Sequence, residues 1–374
     1  MKAKSIKVIL ALLVILAGET EAPAEKADES LQRLIEAARR EGQLDVMITS
    51  SMGQKGATDL IAAFKRRTGL DITINADLSG QESQKFNRAV AETKSGIPPT
   101  FDLMQGEPPA VLELIHAGGI ERIENWEPLL SQIAPEAYQI KDKVSPSAIA
   151  GYGFLWATRI SGLLYNPKLI SARDLPKTWK EMGNPKYKGM FSIPPWTTIT
   201  LMGLIKYDKD EWLETVRSWG RNKPQILTYS AGIERMLLGD LKFLEANDYY
   251  QYEHKTKDPN APIGLMYFED FTPLRQCTYV LRKGARHPNA GKLFALWATS
   301  AEANAIFEKH AYQTNVALAR GPVSKQVTKV WTERKVKPVS WFDNPQTLEK
   351  YSWLGTDEGR KYSQAIARGQ REGR

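Results

Sequence analysis

The sequence predicts an α/β protein built on parallel sheet, long enough for two domains. Three observations carry this. Short apolar runs alternate with amphipathic helical segments from Leu31 to Ala117, the order that wraps a parallel sheet with helices. About 350 residues follow an N-terminal leader, room for two domains of ordinary size. Cys277 is the only cysteine, which excludes an intramolecular disulfide and any cysteine cage for a metal, so core burial must hold the fold.

The elements follow in order. Lys2, Lys4 and Lys7 precede the apolar run Val8–Gly18 and the small-residue site Ala22-Pro23-Ala24, the pattern of a cleaved export signal. Leu16-Ala17-Gly18 has the look of a lipoprotein signal, but Glu19 stands where the lipidated cysteine is needed, so a soluble exported protein is expected. Leu31, Leu34, Ile35 and Ala38 recur at helical spacing up to Gly42. Leu44–Thr49 reads as a strand, Ser50–Gly56 (SSMGQKG) as a loop, and the following segment, with Leu60, Ile61 and Phe64 inward, as a helix closed by Gly69. Leu70–Asn75 and Phe101–Met104 read as strands, with helices at Gln81–Ser95 and Pro108–Ala117, the latter with proline in its first turn. Ligands of such sheets bind beyond the carboxyl ends of the strands.

Tyr152–Tyr165 is strand-rich, with Arg159 at its middle. The stretch Tyr165–Gly189, YNPKLISARDLPKTWKEMGNPKYKG, reads as a strand end, a turn at Asn166-Pro167, a short helix carrying Trp179 and Met182, and a second turn at Asn184-Pro185. Phe191–Pro194 is a strand; Leu201–Lys206, Trp212–Trp219 and Glu234–Leu238 are helical. Thr278–Leu281 is a returning strand, Pro288 opens a helix with Leu293, Phe294 and Trp297 inward, and a terminal helix starts near Asp357.

Net charge is +8, and loss of Lys2, Lys4, Lys7, Glu19 and Glu21 with the leader leaves +7. The basic residues are interleaved with acidic ones, so nucleic-acid binding is not expected. Enzyme classes fare poorly. His116, His254, His287 and His310 are scattered, no GxSxG elbow or phosphate loop is present, and no catalytic carboxylate pair stands out. Glu269 and Asp270 are adjacent, so on a strand they point to opposite faces, leaving Asp270 to line a cleft.

Two segments, Tyr165–Gly189 and Leu281–Phe294 (LRKGARHPNAGKLF), together with the leader and the alternating start, resemble the periplasmic solute-binding proteins of ABC importers, nearest the ferric-iron-binding group. The resemblance implies a type II binding-protein fold, each lobe a mostly parallel sheet flanked by helices, the two joined by crossing hinge strands and closing on a solute. It implies a leader at 1–24, a first lobe from 25–157 and 275–320, a second lobe at 158–274, and a C-terminal helical segment at 321–374 packed on the second lobe. A monomer is expected, in the periplasm, with a membrane permease as partner and no catalysis or cofactor of its own.

Ferric iron, or an iron complex, is the leading cargo that the resemblance implies. Tyr249 and Tyr250 lie where the iron-binding members carry adjacent tyrosines, and phenolate suits a hard trivalent cation. Glu107 lies near the expected carboxylate donor. The first loop has no histidine, and Trp196 in Pro194–Thr198 would crowd an accompanying anion, so a small carboxylate or phosphonate-like anion is the rival cargo. For that anion, Ser50, Ser51, Gln54 and Lys55 lie at a helix start, and Thr197 and Thr198 face them from the other lobe, as ligands or simply as caps. Arg159 pairs either with the ligand or with an acidic neighbour at the hinge. An exported hydrolase is the remaining class, and the missing catalytic constellations argue against it.

Overall fold

The computed structural model describes residues 23–318 and 320–373. The expected leader falls almost wholly outside the described residues. Among them no helix is long and apolar enough to cross a membrane.

Ten strands form one connected sheet: β1 (Gln43–Met47), β2 (Thr73–Asp77), β3 (Leu103–Gly106), β4 (Phe154–Tyr165), β5 (Phe191–Ile193), β6 (Gln225–Ile226), β7 (Phe243–Asn247), β8 (Gly264–Met266), β9 (Thr272–Leu281) and β10 (Pro338–Val339). Their order is β2-β1-β3-β9-β4-β7-β5-β6, with β10 beside β9 and β8 beside β4. β1 pairs in parallel with β2 and β3, and β5 in parallel with β6 and β7. The antiparallel pairs all involve β4 or β9.

β4 is long because it serves two cores, and β9 runs beside it from the end of the second core into the first. Phe154, Trp156 and Ala157 of β4, with Cys277, Tyr279 and Leu281 of β9, are buried with Phe64, Phe294 and Trp297 in the first lobe. Further along β4, Leu163 joins Trp179, Trp212, Trp219, Phe243 and Phe271 in the second lobe. The two strands therefore form the hinge. Helices Gly53–Thr68 and Pro288–Trp297 meet through Phe64, whose ring lies 5.0 Å from Phe294 and 5.4 Å from Trp297. Gly69 closes the first of these helices at φ 66°, a left-handed backbone that glycine adopts without strain.

Three local expectations are corrected. Gly53–Gly56 is the first turn of helix Gly53–Thr68 rather than loop, preceded by a single tight turn at Ser50–Met52. The segment around Trp179 is not a helix but a short 3₁₀ turn, Lys180–Gly183. Tertiary packing decides it: the Trp179 ring stacks on Phe268 at 4.0 Å, and its indole N–H donates to Phe271 O at 3.0 Å. The returning strand is longer than Thr278–Leu281 and begins at Thr272, so it spans the hinge.

The C-terminal segment lies across both lobes. Trp341 and Ile366 enter the second-lobe core, whereas the adjacent Phe342 packs among Met104, Val111 and Val280. Helix Asp357–Glu372 lies along helix Lys209–Arg221. The two backbones approach closely at glycines: a Cβ on Gly220 would sit 2.1 Å from Gly369 O and 2.3 Å from Gly373 N. Gly220→Val is therefore expected to push the terminal helix off its seat, costing ~1–3 kcal/mol and lowering the melting temperature. An unchanged melting curve would show that this contact does not hold the helix.

Candidate functional site

The floor of the interlobe cleft is built by the register of the hinge. Arg159 of β4 lies directly opposite Arg275 of β9. Like charges facing each other across a strand pair repel, and this pair is half-buried to buried, so a counter-charge is required. Glu107, at the end of β3, supplies it. Its Oε1 accepts from Arg159 Nη1 at 2.6 Å and from Arg275 Nη1 at 2.9 Å, and its Oε2 from Arg275 Nη1 at 2.8 Å. The three side chains are 15%, 8% and 11% exposed, for Arg159, Arg275 and Glu107 in turn. Burial disfavours the Glu107 charge, but Arg275 and Arg159 hold its carboxyl below the ordinary value.

The same arginines tie the floor to both lobes. Arg275 Nη2 donates to Asn247 Oδ1 at the end of β7. Arg159 Nε donates to Gln313 Oε1 at 3.2 Å, and Gln313 Nε2 donates to Ser51 Oγ at 2.8 Å. Arg159 Nη2 donates to no described residue, although Arg159 lines the cleft. Glu82 accepts the Glu107 N–H at 3.1 Å and approaches Arg159 Nη1 only to 3.9 Å. Burial pushes its carboxyl up, and the nearby Glu107 adds to this against the pull of Arg159. The floor thus holds two permanent positive charges against one firmly ionised carboxylate.

The cleft is a cavity of about 450 Å³. The first lobe lines it with Thr49, Ser50 and Ser51 after β1 and with Gly80, Gln81, Glu82 and Lys85 after β2. Gln81 holds φ 55°, a strained backbone for a residue with a side chain, and such strain collects at ligand-binding loops. The second lobe lines the cleft with rings. Trp196 meets Tyr229 edge-on at 4.9 Å, Tyr229 meets Tyr250 at 5.9 Å, and Tyr250 lies 4.4 Å from Tyr249. Burial, reinforced by Tyr250, pushes the Tyr249 phenol well above its ordinary value, so without an ion it stays protonated.

Of the residues singled out in the sequence, Ser50, Ser51, Arg159, Trp196, Tyr249 and Tyr250 line this one cavity, and Glu107 lies beneath it, held by both arginines. Arg159 pairs with an acidic neighbour, Glu107. The others lie elsewhere. Gln54 and Lys55 sit in the first turn of their helix outside the cavity, with Lys55 donating to Asp59 at 3.1 Å. Thr197 and Thr198 line a separate cavity of about 440 Å³, which also takes in Glu113, His116 and Tyr351. Asp270 precedes β9 at its second-lobe end, where its carboxylate accepts the Trp179 N–H at 3.2 Å and the Tyr207 O–H at 2.5 Å. No histidine lines the cleft among the described residues; His287 pairs with Asp102 at 2.7 Å and His310 with Asp59 at 2.9 Å.

Sequence reasoning missed Arg275, Glu82, Lys85, Tyr229, Asn247 and Gln313. One signal was available: Arg275 is the only charged residue of its strand, as Arg159 is of its own, and a lone charge on a central strand needs a partner or a ligand.

A family profile described as bacterial extracellular solute-binding protein matches residues 59–335. Among solved structures, iron-bound HitA from Pseudomonas aeruginosa superposes with a TM-score of 0.63 at 18% identity, covering 87% of this chain and 99% of that one. Trichodesmium FutA (IdiA), in complex with iron and citrate, gives 0.61 at 17% identity, covering 88% and 99%. A Bordetella ferric binding protein gives 0.62 at 14% identity, again covering 88% and 99%. No curated protein matches. At these identities the structural likeness speaks for the fold alone, a mixed α/β fold of the type II binding-protein kind.

Proposed function

Because this chain belongs to the bacterial extracellular solute-binding proteins, the non-enzymatic solute-capturing components of ABC transporters, we propose that its interlobe cleft captures a small organic anion. The family sets the rest of the role: the solute is held outside the cytoplasm and passed to a membrane permease. The observation that carries the choice of an anion is Arg159. It is fixed by Glu107 and Gln313, lines the cavity, and donates from Nη2 to none of the described residues, beside a second arginine that Glu107 must also neutralise. An incoming carboxylate or phosphonate completes this charge balance, and a guanidinium held in a plane suits either group. Ser50 and Ser51, ahead of helix Gly53–Thr68, add donors on the facing wall.

Ferric iron is the second reading, favoured by the Tyr249–Tyr250 pair with rings 4.4 Å apart in the same cavity. A bare trivalent cation would have to sit near Arg159 and Arg275, beside a Glu107 carboxylate that already accepts three hydrogen bonds from them. An iron complex that brings its own carboxylates meets less repulsion than the naked ion.

The test is calorimetry of the purified chain with citrate, phenylphosphonate and ferric citrate, beside a visible spectrum. Arg159→Ala is expected to weaken anion binding ~10- to 100-fold, the value of one or two charge-assisted hydrogen bonds. Failure of every anion to bind, with a ferric charge-transfer colour that Tyr250→Phe abolishes, would replace this reading by the iron one.

A further inference from the structure

Resting on the anion reading above, we propose that the solute is an acid built on a planar ring, such as an aromatic carboxylate or a ring-bearing phosphonate. The cleft presents two chemically different surfaces. The hinge floor carries Arg159 and Arg275, and the second-lobe wall carries a continuous run of rings, Trp196, Tyr229, Tyr250 and Tyr249. Tyr229 is the buried member, at 6% exposed, and braces the other rings from behind. Trp196 and Tyr250 meet it at 88° and 65°, so neither is stacked face to face on it, and both are only half-buried. Each is an amphipathic surface that a flat ligand covers with favourable offset or edge contacts.

A wall of this kind also attracts cations, through the ring faces. The same cavity argues against that occupant: Arg159, Arg275 and Lys85 line it, while of its two carboxyls Glu82 is pushed toward its neutral form by burial and Glu253 pairs with Lys257. Lys85 pairs with Asp77 at 2.6 Å, which leaves the hinge arginines as the strongest field in the cleft. The two surfaces together select a molecule with an acidic end on Arg159 and a flat apolar body on Trp196 and Tyr250. A cavity of about 450 Å³ falls within the range of small-molecule sites, which take a mostly apolar body oriented by a few polar groups.

Calorimetric titration of the full chain with benzoate, cyclohexanecarboxylate and benzylamine tests the idea, since the two acids match in charge and carbon count but only one is flat. Benzoate is expected to bind ~10-fold more tightly than cyclohexanecarboxylate. In Trp196→Leu that ratio should fall toward one, and Tyr250→Leu should do the same if the first variant does not fold. Equal affinities for the two acids in the wild type, or a ratio unmoved in the variants, would overturn the planar-ring inference and leave the anion reading standing. Binding of benzylamine but of neither acid would overturn both.

Discussion

Glu107→Gln is expected to destabilise the ligand-free protein by ~3–5 kcal/mol, the usual consequence of stripping a buried charge cluster of its counter-ion. The substitution keeps the shape of the side chain and removes only its charge, leaving Arg159 and Arg275 opposed across the hinge. The amide can still accept through its oxygen, but its NH₂ then faces a guanidinium donor, so at least one of the three hydrogen bonds now made to Glu107 is lost. The same change leaves the cleft more positive. An acidic ligand should therefore raise the melting temperature of the variant by more than it raises that of the wild type. Urea denaturation with and without phenylphosphonate measures both quantities. If the ligand-free variant is as stable as the wild type, Glu107 does not hold the floor together. If ferric citrate binding is lost while anions still bind, Glu107 is an iron ligand after all.

The class of this protein was legible because it is written locally. Alternating strands and helices, prolines in first turns and glycines at helix ends all act within a few residues, and the helices Pro108–His116 and Pro288–Trp297 lie where those signals put them. The site was legible only in part, because its chemistry is set by register. Arg159 and Arg275 are far apart in the chain and meet only because β4 and β9 pair antiparallel with these positions opposed. Gln313 reaches Arg159 from a segment with no pattern of its own. Thr197 and Thr198 were placed in the cleft by analogy of position. In the structure Gln370 of the terminal helix binds both Pro194 O and Thr200 Oγ1, fixing this turn against the C-terminal segment, and the two threonines open on a different cavity. No local rule foresees a contact made by a helix that far along the chain. Asp270 failed for a similar reason: strand alternation was applied to a residue that lies before the strand begins.

Stability should fall, not rise, as the pH is raised from about 5 to 8. Glu245, 3% exposed at the middle of β7, and Asp248, 4% exposed just after it, are both buried carboxyls behind the ring wall. Burial pushes each up to about 7, only partly offset by Arg275 and Ser161 for Glu245 and by the Tyr267 hydroxyl, at 2.9 Å, for Asp248. Their ordinary values are 4.5 and 3.8. Between those values and about 7 the folded chain holds protons that the unfolded chain has released. The stabilisation is complete below about 4 and is lost as the pH climbs through about 7, at ~3–4 kcal/mol for each group. Asp77 and Glu92 act in the opposite sense, since partners hold both below their ordinary values despite burial, and their contribution disappears in acid. Together these groups confine the highest stability to mildly acidic pH. Glu245→Gln and Asp248→Asn remove the proton without removing the side chain, so each should flatten the decline of the urea midpoint between pH 5 and 8. A decline as steep in both variants as in the wild type would mean that neither carboxyl is held protonated by the fold. Because both groups flank the interlobe cleft, through Tyr229 and Arg275 for Glu245 and through Tyr249 for Asp248, an anion bound there that favours their neutral forms would shift the same curve toward higher pH.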